Sequence, residues 1–198
     1  MPAGRIDQTI YVGPYAGPEQ INTTTLYKPG ELGKKFETNT GKAYQVIQLD
    51  SGATSSTSAG TPVAGHLAFW KSRANYLVTN DKAQAENPGS AAGASAVAGV
   101  FCPVAVGGAA GSATITAGNY GCIQQRGTHI GILSGSNTAA KGDVLTSDSA
   151  SATAQCQKYT PGTAPAATPV AVATGATGAV TANYTPARIG GYDLVDVP

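Results

Sequence analysis

The sequence predicts an all-β fold, a small sandwich or barrel of short, mostly antiparallel strands carrying an extended N-terminal arm. Three observations lead there. Short runs of β-forming residues recur about every ten positions, each bounded by Gly, Asn or Pro, which is the spacing of sandwiches and small barrels. No segment sustains an apolar period of 3.6 over helical length. Small residues dominate: Ala, Gly, Thr and Ser make up 96 of the 198 residues, whereas Leu, Ile, Val and Phe together number 34. That apolar share lies below the roughly 20% at which a chain fails to fill a core. The net charge of +1 and the nine tyrosines nevertheless argue against disorder. An ordered chain with so thin a core gains by burying surface against copies of itself or a partner.

The elements follow in order. Residues 1–33 hold four prolines, several glycines and the run Asn22-Thr23-Thr24-Thr25, with no sustained period. This reads as an arm, in which Tyr11, Tyr15 and Tyr27 alternate with turn residues and are the candidate contacts with another surface. Residues 34–198 form the β-rich body. Lys42 to Leu49 alternates polar and apolar after the turn signal Asn39-Thr40-Gly41 and is a strand. His66–Trp70 and Asn75–Thr79 form a hairpin around Ser72, Arg73 and Ala74, because Phe69, Trp70, Tyr76 and Val78 are β formers and Asn75 interrupts a helical face. Between Asp81 and Ala96 there is room for one helical turn, ended by Asn87-Pro88-Gly89.

Val97 to Val106 is an apolar run broken by Pro103. Ala113–Thr116, Tyr120–Gln125, Thr128–Leu133 and Asp143–Thr146 are further strands, with Arg126-Gly127 placed for a tight turn or bulge. Residues 160–187 are low in complexity and read as a surface loop, in which Val170, Val172 and Val180 mark at most one weak strand. Residues 188–197, with Ile189, Tyr192, Leu194, Val195 and Val197 alternating, form a final strand.

Composition also limits function. Twelve basic and eleven acidic residues, with Lys34, Lys35 and Lys42 the densest basic cluster, provide no stripe for nucleic acid. No apolar run approaches the roughly 20 residues of a membrane span. The opening MPAGRIDQTIYVGPYAG has no secretory apolar region, so synthesis in the cytosol is expected. Cys102, Cys122 and Cys156 are odd in number and far apart, which suits buried free thiols; one disulfide plus one thiol is the lesser option.

Catalytic chemistry has few candidates. His66 and His129 lack partners at metal-ligand spacing, so no metal site is expected. Cys122 and His129 fall in adjacent expected strands and would be the thiol and base of a nucleophilic pair, but neighbouring strands commonly juxtapose unrelated residues. The glycines at 107, 108 and 111 precede neither Lys-Ser/Thr nor a helix, which excludes a phosphate loop and a dinucleotide fingerprint. Four Glu and seven Asp stand mostly beside turn residues. The expectation is a protein that is not an enzyme, with no catalytic residues, cofactor or metal. Trp70, beside Phe69, is read as core in preference to a carbohydrate platform.

The segments Tyr44-Gln45-Val46-Ile47, Tyr76 to Asp81, Ala98 to Phe101, Ala117 to Gly127 and Ala139 to Leu145 occur in an order that resembles the capsid decoration, or cement, proteins of tailed bacteriophages. The most specific stretch is Gly118-Asn119-Tyr120-Gly121-Cys122-Ile123-Gln124-Gln125-Arg126-Gly127, followed by Ala139-Ala140-Lys141-Gly142-Asp143-Val144-Leu145. The resemblance covers residues 41–148. It departs at Cys122, where the family has an aromatic residue such as Trp, and in the arm and the Ala/Thr/Pro stretch. It implies a virion protein on the outer surface of the phage head, a homotrimer that stabilises the capsid by bridging major capsid protein subunits, without direct contact with nucleic acid or membrane. A tail or head-fibre component, and a carbohydrate-binding host-attachment module presenting Trp70 and tyrosines, are the alternatives.

Overall fold

The computed structural model describes residues 32–37, 40–50, 64–86, 97–102, 118, 120–135, 138–147, 154–160, 169–179 and 182–190. Among the described residues ten strands run in chain order: β1 (Lys35–Glu37), β2 (Ala43–Leu49), β3 (Leu67–Ser72), β4 (Leu77–Thr79), β5 (Val97–Phe101), β6 (Tyr120–Leu133), β7 (Val144–Ser147), β8 (Cys156–Lys158), β9 (Pro169–Ala173) and β10 (Tyr184–Ile189). Their order in space is β1-β2-β4-β3-β5-β6-β10-β9-β7-β8, and β2 also pairs with β6. That extra pairing closes β2, β4, β3, β5 and β6 into a five-stranded barrel, in which only β2 and β4 are parallel. Closure removes the exposed edges that short strands otherwise leave. The all-β architecture is therefore the one expected, with both a barrel and a second sheet.

The β6 strand belongs to both. Its first half, Tyr120 to Arg126, pairs with β2, while its second half, Gly127 to Leu133, pairs with β10. The sequence reading placed two strands here; the structure has one strand of 14 residues, bent in the middle. The bend has a local cause. Ala43 pairs with Arg126 and Tyr44 with Gln124, so Gln125 is the extra residue of a bulge. Gly127 follows with φ of +97°, and a Cβ there would lie 2.9 Å from the Cα of Lys42, so both the dihedral and the close approach demand glycine.

The strand β3 shows how few apolar residues serve two cores. Ala68 and Trp70 face one cluster with Tyr44, Val46, Val78, Phe101 and Ile123, whereas Leu67 and Phe69 face a second with Val100, Ile132, Leu145, Val170 and Ile189. Period-two alternation sends neighbours to opposite faces. In β5 a register shift opposite Ala68 and Phe69 keeps the same division, with Ala98 and Phe101 in the first cluster and Val97 and Val100 in the second. Ala98 is the extra residue at that shift, and a Cβ on the adjacent Gly99 would stand 2.6 Å from the carbonyl oxygen of Gln124. Two small cores, with Ala171, Ala173 and Ala187 lining the second, replace the single large one the composition could not fill.

The hairpin expected at residues 66–79 is present: β3 and β4 are antiparallel, with Phe69 opposite Thr79 and Trp70 opposite Val78. The helical turn after it is a 3-10 turn at Lys82–Gln84, capped by the Asp81 side chain accepting from the Ala83 N–H. Strand pairing reaches back to Gly33, whose N–H donates to Val46 O at 3.0 Å, so the body begins at the edge of the segment read as arm. The stretch read as a low-complexity loop, 160–187, is corrected: it contains β9 and the start of β10, because Val and Ala suffice to cover a core this shallow. Of the final strand expected at 188–197, Arg188 and Ile189 close β10, and residues 191–198 lie outside the described residues. So do 113–116, where another strand was expected.

Candidate interaction surface

His129 accepts the Gly131 N–H at Nδ1 (3.2 Å) and stands 3.4 Å through Nε2 from Phe101 O. An acceptor at Nδ1 requires the proton on Nε2, so the ring bridges β6 to the end of β5 as a neutral imidazole. Cys122 lies on the same strand, not on an adjacent one as expected. Seven residues of strand separate backbones by about 20 Å, so the two make no thiol and base pair. His66 is buried at the start of β3, its Nδ1 has no hydrogen-bond partner, and desolvation lowers its pKa from 6.5 to about 4. Its backbone carbonyl accepts from the Phe101 N–H at 3.0 Å. All three cysteines are buried, and none is in a disulfide.

Carboxylates are equally committed. Asp50 pairs with Lys71 at 2.6 Å, tying the end of β2 to β3. Glu37 pairs with Arg126, joining β1 to the bulge, with both side chains more than half exposed, so the bond adds little to stability. Asp143 accepts the Ala140 N–H at 2.7 Å and pairs with Lys158 at 3.0 Å; the Ala140 bond first, then the lysine, holds its carboxyl below the usual range. The Asp143 N–H in turn donates to Ala140 O, with Gly142 at φ of +93° between them. The Ala139-to-Leu145 motif is thus a closed turn entering β7.

The longer motif builds structure in the same way. Gly118 donates its N–H to Leu49 O and accepts the Gln48 side chain at 3.0 Å, so the motif starts docked on β2. Gln124, fully buried, donates to the carbonyls of both Arg126 and Thr128 at 3.0 Å. Gln125 reaches Gln45 at 2.9 Å and Ala98 O at 3.2 Å, and Gln45 reaches Gly33 O at 3.3 Å. Of the polar positions of the β2 alternation, Gln45 is therefore buried and bonded, and the half-buried Gln48 is bonded as well.

Sequence reasoning also missed a hydroxyl chain, buried at Ser134 and Thr185. The Ala139 N–H donates to Thr177 Oγ1 (2.8 Å), which bonds Thr185 Oγ1 (2.7 Å), which bonds Ser134 Oγ (2.6 Å), 3.7 Å from Cys156 Sγ. Isolated Thr and Ser in a chain this rich in both carry no signal that could single these out. The chain fastens the turn before β7 and the β9–β10 turn, through β10, to the end of β6.

Among the described residues no group of three or more His, Cys, Asp or Glu is placed to hold a metal. No helix there is long and apolar enough to cross a membrane. Trp70 is 6% exposed and packs in the first core, so it offers no exposed platform. Among the described residues, the large apolar side chains that do reach solvent are Tyr76, Ile130 and Tyr159, on the β3–β4 turn, on β6 and just beyond β8. The short strands β1 and β8 stand at the two ends of the strand order and leave edges unpaired by another named strand. Tyr11, Tyr15 and Tyr27, the interface residues expected from the sequence, lie outside the described residues.

No family model matches the chain, and no curated protein matches it.

Proposed function

We propose that this chain is a structural virion protein that binds the outer surface of a tailed-phage head and stabilises the capsid by bridging major capsid protein subunits. The observation that carries this reading is the architectural use of the two motifs on which the resemblance rests. The Gly118-to-Gly127 motif makes the bulged strand shared by barrel and second sheet, and the Ala139-to-Leu145 motif makes the turn into β7. A resemblance in these residues is therefore a resemblance in the framework, and a decoration protein requires a framework and a contact surface, not a reaction centre. The His, Cys and carboxylate side chains described above serve that framework too.

In this mechanism residues 1–33 lie along the major capsid protein or a neighbouring subunit, with Tyr11, Tyr15 and Tyr27 as contacts, and the body forms a homotrimer. Weak contacts made by each arm are multiplied by closed symmetry through avidity. The experiment is co-sedimentation of the full chain with expanded, undecorated capsids. Saturable binding at a fixed ratio to capsid subunits is the expected result. Its absence, with a stable free oligomer, transfers the assignment to a tail or fibre component. Removal of residues 1–30 should abolish binding while the body stays folded; full binding by the truncated chain overturns the role of the arm.

A further inference from the structure

Cys102 and Cys122 lie far apart in sequence, yet the fold sets them opposite each other. The β5–β6 ladder pairs Val100 with Gln124 and Phe101 with Ile123. One step further, the Cys102 N–H donates to Cys122 O at 3.3 Å, which continues the register to the two cysteines. Residues directly opposed across an antiparallel pair project to the same face, with Cα atoms about 4.5 to 5.5 Å apart. That separation falls inside the range of roughly 4.4 to 6.8 Å spanned by disulfides. Both side chains are fully buried and belong to the same core cluster. Cys156 belongs to the other cluster, beside Ser134.

We infer that Cys102 and Cys122 form an intramolecular disulfide when the protein meets a small oxidant such as hydrogen peroxide. One thiolate attacks the peroxide, taking one oxygen to become a sulfenic acid while hydroxide leaves and is protonated to water. The second thiol sulfur attacks the sulfenic sulfur, the S–S bond forms, and the hydroxyl group departs with the thiol proton as a second water. Two thiols are oxidised, one peroxide is reduced to two waters, and the cross-link closes the chain over residues 103–121. It joins β5 to β6 at the seam of the barrel and leaves Cys156 reduced. Burial makes the reaction slow and dependent on local opening, but it also keeps the two sulfurs confined to each other once one is oxidised. The inference concerns the body alone and holds on any surface to which the protein binds.

The test is peroxide treatment of the folded full-length chain, alkylation of the remaining thiols, and non-reducing peptide mapping. The expected product is one peptide pair joined through Cys102 and Cys122, lighter by two hydrogens, with Cys156 alkylated. Its melting temperature should rise on the order of 5 °C and return on reduction, since the link constrains the unfolded chain. Cys102→Ala should abolish the two-hydrogen loss, and peroxide treatment of the wild-type chain in denaturant should scramble the pairing. A link through Cys156, a link between chains, or sulfinic acid at Cys102 or Cys122 without a link overturns the inference.

Discussion

The side-chain nitrogen of Gln124 clamps the carbonyl of Thr128, four residues further along the same strand, at 3.0 Å. The same nitrogen holds Arg126 O, so the amide spans the bend at Gly127 from inside. Because both bonds need a donor, the orientation of the amide is decided by its partners, and its oxygen is left without one.

Gln124→Leu keeps the volume and removes the donor. Two carbonyls at the bend lose their partner, and a buried unsatisfied group costs about 1–3 kcal/mol. The expected loss is about 3 kcal/mol in denaturant unfolding. A variant as stable as the wild type would show that the bend needs no clamp.

Gly127→Ala tests the bend from the backbone side. The φ of +97° and a Cβ 2.9 Å from Lys42 Cα compound each other, so a loss of about 3 kcal/mol or more is expected, seen as a lowered midpoint. Gly41→Ala is the comparison: its φ is +78° but its Cβ would meet nothing within 4 Å, so the penalty should be only that of the dihedral.

Phe69 and Trp70 are sequence neighbours in different cores. Phe69→Leu and Trp70→Phe should each cost about 1–2 kcal/mol, and the double variant should cost their sum within about 0.5 kcal/mol. A coupling well above that, measured by a double-mutant cycle, would mean that the two clusters repack as one.

Acid should destabilise the fold through His66. Its pKa is about 4 in the folded chain and 6.5 when exposed, so between those values the unfolded state binds a proton that the folded state refuses. Stability is complete above pH 6.5, falls as pH drops towards 4, and levels off below for this group, a total of about 3 kcal/mol. Asp143, lowered in the fold, acts in the same direction but only at lower pH, below its exposed value of 3.8. His66→Gln should flatten the stability profile between pH 6.5 and 4; an unchanged slope would assign the acid sensitivity elsewhere.

The strands that were legible in the sequence are those long enough to show a period. Ala43–Leu49 and the Leu67–Thr79 hairpin have both alternation and turn signals at their ends. The strands β1 and β8 have three residues each, too few for a pattern. The β9 strand shows in the sequence only as the weak-strand alternative at Val170 and Val172, because Pro-Val-Ala-Val-Ala carries the composition of a loop, while its partners Val144, Ala187 and Ile189 that make it a strand are distant in sequence. The Arg126-Gly127 signal was read in the right place, yet a bulge and a strand break leave the same residues behind, and the two differ only in whether β2 and β10 continue the ladder. The hydroxyl chain and the Cys102–Cys122 pairing are products of register, which no local pattern encodes. The placement of Trp70 and Cys156 in the interior followed from residue type alone.

A strand held in common by a barrel and a sheet also constrains the order in which structure can be lost. Amide protons along Tyr120–Leu133 exchange only when a neighbouring ladder opens, and opening either half exposes backbone of the other at the bulge. Barrel and sheet are therefore one foldon instead of two, and because β6 meets β2 and β10 across long stretches of chain, that unit assembles late and slowly. A protein built this way gives up rapid folding in exchange for a framework with no weaker half from which unravelling could begin.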